Sequence, residues 1–527
     1  ETPKPDYSSR LPKSGELPKQ VVNIVQKDLE LHEAQVIFSR YAWEAMQWGG
    51  KHAKDDAERL KMANELMKYY HFRPIAGYEQ VKSDGSIVHM YKSTEAFPMF
   101  VIDEGGFQKI YKPKAEKEYR FMYAGNKPEK FVHGLKQHAA YIESNIKHNE
   151  KKQQDAEEHS ETAAKKEKKK DLLPERLREI ILVSGGSDAL NVAALGYRVI
   201  WMNSETSKLD FDTVKQCNKL AFNFYNLPDI DSTGRSAAKE LAWRFIDVKT
   251  IWLPAELALK PDGKGGNCKD LRDFLKYHRA ESFNKLVTNA LPFKFWDEMQ
   301  KYDKEGNAVF KFGRPQMVYE FNNVRGYNFL QMNGFWRYAD AKYKEGYRLI
   351  KIENNIVSDV LANEVKNFIH IFLKERQFQE DLRNVMYRTP QLSESSLSNL
   401  EEIDLNFKHY TQDSQYLFFE SKTWKITGTG IESVKMPEIY VWENKIMKPN
   451  IKGQKIEGFN AKLLEPFFNI TQVNDVWHCD FASLDCDYLK FTLQTCKIHW
   501  RKELEDRMDF HLLGNKEKQA FIEDPHL

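Results

Sequence analysis

Apolar residues in the middle of the chain alternate between strand-like runs and helical repeats. The runs "EIILVSG", "RVIWMNS", "FNFYNL" and "VKTIWLP" are short and rich in β-branched or aromatic residues. The segments between them, such as "SDALNVAALG" and "RSAAKELAWRF", have the spacing of amphipathic helices. Strands that alternate with helices predict βαβ units and a mostly parallel sheet. We therefore expect a four-stranded sheet flanked by helices over residues 177–285.

The segment before this sheet has two other patterns. From Leu17 to about Tyr70 the apolar residues recur at helical spacing, which predicts two or three helices. From His71 to about Leu135, short β-rich runs are separated by turn residues such as "SDGSI". We interpret residues 17–145 as a basic module of helices and a small β-containing part.

The remaining segments complete a multidomain chain of class α/β and α+β. Residues 1–16 predict a tail, and residues 146–176 predict either a charged linker or an exposed helix. Residues 286–314 are interpreted as a connector. Residues 315–527 mix helical and β-like patterns, which predicts an α+β domain.

Composition narrows the class of protein. Of the 527 residues, 41% are apolar and 30% are charged, as is typical of globular proteins. A net charge of +2 does not by itself indicate that the protein binds nucleic acid. An electrostatic case for such binding has to rest on local basic patches. The sequence has no long uncharged apolar run and no basic-then-apolar leader, so we expect no membrane partner and a cytoplasmic location.

The cysteines do not indicate a disulfide framework, because they are odd in number and form no CxxC pair. They are Cys217, Cys268, Cys479, Cys486 and Cys496. The last three lie near His499, but their spacing matches no standard zinc site. We expect buried thiols rather than zinc.

Acidic residues follow each predicted strand, at the end of the sheet where ligands collect. They are Asp188, Glu205, Asp229, Asp231, Asp270 and Asp273. Such oxygen-rich clusters suit Mg²⁺ or Mn²⁺, and a pair of ions can stabilise the attacking and leaving oxygens of nucleotidyl transfer. The alternative for Asp229 and Asp231 is local, namely an Asx turn and a helix cap.

The order of these elements resembles the toprim domain of bacterial-type primases, topoisomerases and related nucleases. The match lies in "DIDSTGRSAA" from Asp229 and in "KDLRDFL" from Lys269. The resemblance implies that Asp229 and Asp231 are catalytic and hold the metals, with support from Asp188, Asp270 and Asp273. It also implies contacts between substrate phosphates and residues near helix N-termini, for which the candidates are Gly185, Gly234, Arg235 and Lys269.

One position departs from the toprim pattern. The first strand of that family usually ends in glutamate-glycine, where the glutamate is a general acid or base. Here Ser184 precedes Gly185, and a serine hydroxyl cannot transfer that proton near neutral pH without an activating base. We take Glu205 as the candidate substitute, and the alternative is an ordinary acid at a helix N-terminus. Either the acid-base role has moved or the site is weak in catalysis.

Cationic and aromatic residues alternate over residues 107–131, a combination suited to single strands. The predicted nucleic-acid-binding residues are Lys109, Tyr111, Lys112, Lys114, Arg120, Tyr123 and Lys127. The alternative is a small barrel in which the aromatic residues form the core. A basic module before a toprim domain resembles the layout of primases.

The last segment loosely resembles the domain that precedes the motor in phage and plasmid primase-helicases, on the basis of "NGFWRYAD" and "IHWRKELE". No GxxxxGK[ST] motif occurs, so we expect no helicase motor within this chain. The resemblance implies a DNA primase that uses a single-stranded template and nucleoside triphosphates, with a fused or separate helicase and a homo-oligomer as further partners. The rivals are a toprim nuclease and a non-catalytic module that binds nucleic acid or assembles a replication complex.

Overall fold

The computed structural model describes residues 20–82, 84–126, 128, 130–158, 172–203, 208–263, 265–311, 313–420, 422–434, 439–447, 450–451, 454–455, 465–495 and 512–523. The chain forms two compact units. The first comprises Glu1–Glu353 and Asp359–Asp404, and the second comprises Asn354–Ser358 and Leu405–Leu527. The predicted basic module and the predicted central sheet both lie in the first unit.

The first unit begins with a β-rich part that includes three helices. Its strands are β1 (Gln20–Gln26), β2 (Gln47–Trp48), β3 (Lys51–His52), β4 (Phe72–Val81), β5 (Ile87–Lys92), β6 (Met99–Asp103), β7 (Phe107–Tyr111) and β8 (Phe121–Gly125). Its helices are α1 (Leu31–Ile37), α2 (Arg40–Glu44) and α3 (Asp56–Tyr69). An antiparallel sheet has the order β1-β4-β6-β7-β8, and β5 pairs with β4.

Strand β1 lies where the apolar spacing predicted a helix. The segment contains four β-branched residues in "VVNIV", and such residues favour extended backbone. Its pairing with β4 starts at Gln20, opposite Val81, and ends at Gln26, opposite Ile75. The helical prediction was therefore wrong for this segment, because pairing with a distant strand outweighs the local spacing.

The central sheet follows β9 (Val132–His133) and α4 (Leu135–Glu158). Its elements are β10 (Leu177–Val183), α5 (Gly186–Ala194), β11 (Val199–Met202), α6 (Phe211–Leu220), β12 (Ala221–Leu227), α7 (Ser232–Arg244) and β13 (Lys249–Thr250), followed by α8 (Leu271–Tyr277) and α9 (Ala280–Asn289). The strand order is β13-β12-β10-β11-β9. The four predicted strands are parallel, and β9 adds an antiparallel edge strand to β11.

Both faces of strand β10 are buried, as expected for a central parallel strand. On one face Ile181 and Val183 pack with residues of α3 and α5. On the other face Ile180 and Leu182 pack with residues of α4 and α6. The chain passes from β11 on one side of β10 to β12 on the other. This reversal opens a crevice beyond the carboxyl ends of the strands, where ligands bind in such folds.

The rest of the first unit has its own apolar core, which includes Trp296, Phe329 and Phe372. Its strands are β14 (Trp296–Gln300), β15 (Phe310–Lys311), β16 (Arg314–Pro315), β17 (Met317–Phe321), β18 (Phe335–Ala339) and β19 (Tyr347–Glu353). Its helices are α10 (Asn323–Met332), α11 (Ala362–Glu375), α12 (Glu380–Arg388) and α13 (Glu394–Leu397).

The second unit consists mainly of short strands. They are β20 (Ile356–Asp359), β21 (Ser414–Phe418), β22 (Thr423–Thr427), β23 (Gly430–Val434), β24 (Val441–Trp442), β25 (Asn450–Ile451), β26 (Gln454–Lys455), β27 (Phe468–Val473) and β28 (Val476–Phe481). Helix α14 spans Asn515–Glu523. Strand β20 pairs with β24, and β21, β22 and β23 form an antiparallel sheet.

Several predictions concern segments away from the central sheet. Helix α4 covers residues 146–158 of the predicted linker, and residues 159–171 lie outside the described residues, as does the predicted tail. Cys217 and Cys268 are buried, but Cys479 is exposed on the two-stranded hairpin β27–β28. The expectation of a buried thiol is therefore wrong for Cys479. Cys496 and His499 lie outside the described residues. Among the helices that are described, none is both long and apolar enough to cross a membrane.

Candidate active site

The carboxyl ends of β10 and β12 bring several of the predicted site residues to one edge of the central sheet. Asp188 lies in the first turn of α5, directly after β10. Asp229 and Asp231 follow β12, and Asp231 is the N-cap residue of α7. The segment before α8 contributes Lys269 and Asp270, and Asp270 is the N-cap residue of that helix. We call these five residues the acidic site.

Gly234 allows α7 to begin directly against the backbone of Asp229. A Cβ atom at position 234 would lie 2.4 Å from the Asp229 carbonyl oxygen and 3.0 Å from the Asp229 Cβ. The Gly234 backbone N–H donates a hydrogen bond to Asp231 Oδ1 at 2.8 Å, so Asp231 does cap the helix. The DxDxxG spacing is therefore a folding requirement, because only glycine permits this close approach.

Lys269 bridges the two aspartates that follow β12. Its Nζ lies 2.6 Å from Asp231 Oδ2 and 3.4 Å from Asp229 Oδ2. The hydrogen bond to Asp231 is the main cause that raises the pKa of Lys269. Partial burial acts to raise the pKa of Asp231, but the hydrogen bonds from Lys269 and the Gly234 N–H, together with the charges of Lys269 and Arg235, leave that pKa lowered. The ammonium group therefore serves as the counter-ion of this pair.

Backbone contacts hold the Lys269 segment against the loop after β12. The Ile230 N–H donates to the Lys269 carbonyl oxygen at 2.9 Å. The Lys269 N–H donates to Asp273 Oδ2 at 3.0 Å, and Lys276 Nζ donates to Asp273 Oδ1 at 2.6 Å. Asp273 is buried, and both of its oxygens have partners in its own segment. This predicted metal ligand therefore braces the start of α8.

Asp188 and Asp270 are partly buried carboxyl groups with raised pKa values. Burial, followed by the carboxylates of Asp270 and Asp229, raises the pKa of Asp188 well above its usual range. Burial, followed by the carboxylate of Asp273, raises the pKa of Asp270 to about 6. Like charges gathered in a partly dry crevice cause such shifts, and they are typical of functional sites.

Arg272 supports the site, although the sequence did not identify it. Its backbone N–H donates to Asp188 Oδ1 at 3.3 Å, and its guanidinium donates to the Val36 carbonyl oxygen at 2.7 Å. The Ser39 hydroxyl donates to the Arg272 carbonyl oxygen at 2.8 Å. Arg272 therefore anchors α8 to the start of the chain. Its partners Val36 and Ser39 are more than 200 residues away, so no local pattern could have shown this role.

The predicted phosphate-binding residues are not equivalent. A Cβ atom at Gly185, the N-cap residue of α5, would meet open space. Arg235 is exposed in the first turn of α7. These two positions are open to an anion at a helix N-terminus. Gly234 instead contacts Asp229, and Lys269 pairs with both aspartates.

Lys109, Tyr111 and Lys112 are buried, so they do not line an open nucleic-acid surface as predicted. The Lys109 ammonium donates to the Asn203 carbonyl oxygen at 3.0 Å and lies 4.4 Å from the centre of the Phe121 ring. Tyr111 stacks on Phe121, with ring centroids 5.2 Å apart. The reason is that β7 is covered on both faces, which alternation of residue types alone did not indicate.

The other members of that predicted surface are more accessible. Lys114 is exposed, and Arg120 and Tyr123 are partly exposed. The charges of Arg272, Asp188 and Arg120 all act on the buried Tyr111 hydroxyl. This end of the β-rich part therefore borders the acidic site. Glu205 and Lys127, the remaining predicted site residues, lie outside the described residues.

The acidic site fits a hard divalent cation in donor type and in charge. Asp188 and Asp270 both have pKa values raised in part by Asp229, and a bound cation would relieve this repulsion. Among the described residues, no three carboxylate, imidazole or thiolate side chains are arranged to hold a metal ion. The Lys269 ammonium instead contacts the two aspartates that the sequence assigns to the metal.

No protein-family model matches the chain, and no curated protein sequence matches it. Solved structures do match, and among them are primase catalytic cores from bacteria and a primase fragment from a phage. A DNA primase domain from Pseudomonas aeruginosa is 14% identical, covers 66% of this chain and 80% of its own, and has a TM-score of 0.29.

Two further neighbours have similar values. A DnaG primase catalytic domain bound to single-stranded DNA is 13% identical, with 64% of this chain and 78% of that chain covered and a TM-score of 0.30. The primase fragment of the bacteriophage T7 primase-helicase protein is 12% identical, with 43% and 68% covered and a TM-score of 0.23. Similarity at this level does not assign a function to this chain.

Proposed function

We propose that the chain is a DNA primase component that carries out metal-dependent, template-directed primer synthesis at a toprim-like acidic site. The observation that carries the proposal is the convergence of acids from separate segments at the carboxyl edge of a parallel sheet. These acids are Asp188, Asp229, Asp231 and Asp270. The mutual repulsion that raises the pKa values of Asp188 and Asp270 supports a site built for a cation.

In the proposed reaction, the primer 3′-hydroxyl attacks the α-phosphate of a nucleoside triphosphate, and pyrophosphate leaves. Mg²⁺ or Mn²⁺, held by Asp229 and Asp231, would neutralise charge that develops on the phosphate oxygens. Arg235 is exposed at the head of α7, where it can bind the triphosphate. Lys269 exchanges one anionic partner for another when it turns from the aspartates to a phosphate oxygen.

The proton of the attacking hydroxyl requires a base. Ser184, directly after β10, does not provide one near neutral pH. We propose Glu205 for this role, as the acid that follows the neighbouring strand. Alanine at Glu205 is expected to lower product formation while the affinity for Mn²⁺ is unchanged. Unchanged product formation in that variant would refute the assignment.

We propose a phage or other mobile element as the source of the chain, with a fused or separate helicase motor and a homo-oligomer as its assembly in the bacterial cytoplasm. This part of the proposal rests on the resemblance of residues 315–527 to the domain that precedes the motor in primase-helicases. Co-expression with a candidate helicase, followed by measurement of the mass of the complex, tests it. A monomer that binds no helicase would contradict it.

A second candidate function is supported by Ser184. Without the acid expected at that position, the same fold can serve as a module that binds nucleic acid or assembles a replication complex without catalysis. A nuclease with the same metals is the third possibility.

One experiment separates the three functions. The chain is incubated with single-stranded DNA, labelled nucleoside triphosphates and Mg²⁺ or Mn²⁺, beside an Asp229→Ala, Asp231→Ala variant. Primers that form with the wild type alone support the primase. Cleavage of DNA without nucleotides supports the nuclease, and binding of the template without either product supports the non-catalytic module.

A further inference from the structure

The segment that follows helix α9 forms a β-hairpin, and the outer half of this hairpin is exposed. At the base of the hairpin, strand β14 pairs with β17. Trp296 and Phe321 of these strands are buried in the apolar core that also includes Phe329 and Phe372. The pairing continues outward, because the Lys301 N–H donates to the Gln316 carbonyl oxygen and the Val309 N–H donates to the Lys301 carbonyl oxygen, both at 2.8 Å. Residues 301–311 and 313–315 make up this outer half, which we call the basic hairpin.

Two aromatic side chains of the basic hairpin are largely exposed. Tyr302 and Phe310 are each 60% exposed. Tyr302 lies opposite Ala308 in an antiparallel bridge, and Phe310 follows Ala308 by two residues. Strand alternation therefore places the two rings on the same face of the hairpin. A single exposed ring needs no explanation, but two rings on one face provide a stacking surface.

The same segment is cationic. It carries four basic side chains and two acidic ones, and the basic ones are Lys301, Lys304, Lys311 and Arg314. Asp303 is one of the acids. Its carboxylate accepts hydrogen bonds from the backbone N–H groups of Glu305 and Asn307 and so stabilises the turn. Lys301, Lys304 and Arg314 are exposed.

We propose that the basic hairpin is a binding site for single-stranded nucleic acid, separate from the acidic site. Bases stack on Tyr302 and Phe310, while Lys301, Lys304 and Arg314 neutralise backbone phosphates. Stacking platforms flanked by cations are the general solution for single strands, since every base has a face to stack and every linkage carries a charge. A protein partner fits less well, because the described part of the segment combines exposed cations with two single rings rather than a continuous apolar patch.

The test measures binding and does not depend on catalysis. The full chain is titrated into a fluorescein-labelled oligothymidylate in EDTA, and fluorescence anisotropy gives the dissociation constant. A Tyr302→Ala, Phe310→Ala variant is expected to bind about tenfold more weakly or worse, because each lost base stack weakens binding severalfold. A Phe222→Ala variant is the matched control, because Phe222 is 67% exposed at the amino end of β12. It should bind like the wild type.

The charge contribution is measured separately. A Lys301→Gln, Lys304→Gln, Arg314→Gln variant should reduce the slope of log affinity against log salt by about 2, since each phosphate contact with a single strand contributes about 0.7. Equal melting temperatures will show that the exposed substitutions leave the fold intact. The inference is overturned if the aromatic variant binds like the wild type, or if the wild type does not bind the oligonucleotide. The first outcome leaves primer synthesis at the acidic site standing, because a template can bind elsewhere on the chain, and that activity has its own assay.

Discussion

At the scale of single residues, Gly234 ties the geometry of the acidic site to the fold. We expect Gly234→Ala to destabilise the protein by about 1–3 kcal/mol, because its Cβ would clash with the Asp229 carbonyl oxygen at 2.4 Å. The clash should also displace Asp229 and weaken Mn²⁺ binding. Thermal unfolding and a calorimetric Mn²⁺ titration measure the two effects.

Gly185→Ala is the matched control for this prediction. Gly185 also lies at the start of a helix after a strand of the central sheet, but a Cβ atom there would meet open space and its φ of −158° suits any residue. It should unfold like the wild type. Equal stability of both alanine variants would contradict the close approach of α7 to Asp229.

The raised pKa of Asp270 predicts a dependence of stability on pH. The pKa of this group is about 6 in the folded protein, above its ordinary value of 3.8. The folded state therefore binds the proton more tightly than the unfolded state, so the contribution to stability is present below pH 4 and is lost as pH rises through 6. Without metal, the carboxylate should destabilise the protein at pH 8 by on the order of 3 kcal/mol.

The Asp270→Asn variant tests whether the charged form of Asp270 lowers the stability of the protein. Asparagine can keep the helix cap that Asp270 forms with the Asp273 N–H but carries no charge. In EDTA the variant should be more stable than the wild type at pH 8 and no more stable at pH 4, as measured by denaturant unfolding. A variant that is less stable than the wild type at pH 8 would refute the electrostatic account.

Local sequence predicted the turn and helix cap at Asp231, but it did not predict the burial of Lys109 and Lys112. The spacing of Asp229, Asp231 and Gly234 follows from contacts within six residues, so a local motif contains the information. Lys109 and Lys112 face the interior because other strands and the end of β11 cover them. The alternation of lysines and aromatic residues does not indicate that these side chains are buried.

At the scale of elements, Lys269 joins the loop after β12 to the start of α8. We expect Lys269→Met to lower the stability of the metal-free protein, because Asp229 and Asp231 would lose their shared counter-ion. Mn²⁺ should bind up to about fivefold more tightly, since a partly exposed ion pair is worth at most about 1 kcal/mol. Primer synthesis should nevertheless fall, because Lys269 would no longer meet the substrate phosphates.

Lys276→Met provides the comparison for this prediction. Lys276 forms an equally short ion pair with Asp273 on the same helix, but it does not contact the aspartates after β12. It should leave Mn²⁺ affinity and primer synthesis unchanged. If Lys269→Met also leaves both unchanged, the assigned role of Lys269 is wrong.

The elements of the central sheet were predictable because the apolar residues of each element are spaced as in a strand or as in a helix. The four parallel strands and the helices between them lie where the apolar runs and helical repeats predicted. Strand β1 was not predictable from the sequence, because its extended form depends on pairing with β4, about fifty residues later in the chain. The two-residue strand β9 is too short to leave a pattern.

At the scale of the whole molecule, the site depends on contacts between distant parts of the first unit. Arg272 holds α8 to the segment at Val36 and Ser39, and its backbone also contacts Asp188. Sequence reasoning placed the acids at the ends of their strands but could not identify this support. The predicted domain boundaries remain predictions, because the β-rich part and the central sheet share one apolar core.

A bound cation should stabilise the whole first unit through the acidic site. We expect Mn²⁺ to raise the melting temperature more at pH 8 than at pH 5, because protons and the cation compete for Asp188 and Asp270. An Asp229→Asn, Asp231→Asn variant should show no such rise. Differential scanning fluorimetry with Mn²⁺ and with Ca²⁺ measures the effect, and an equal rise in the variant would place the cation elsewhere.

The most direct test of the central claim is primer synthesis on a single-stranded template by the wild type and by the isosteric Asp229→Asn, Asp231→Asn variant. We predict labelled primers from the wild type that require Mg²⁺ or Mn²⁺ and are absent for the variant, while both proteins bind the template equally. Primers of equal yield from both proteins would show that these aspartates are not catalytic. No primers from either, with the template bound, would contradict the primase and leave a nucleic-acid-binding module.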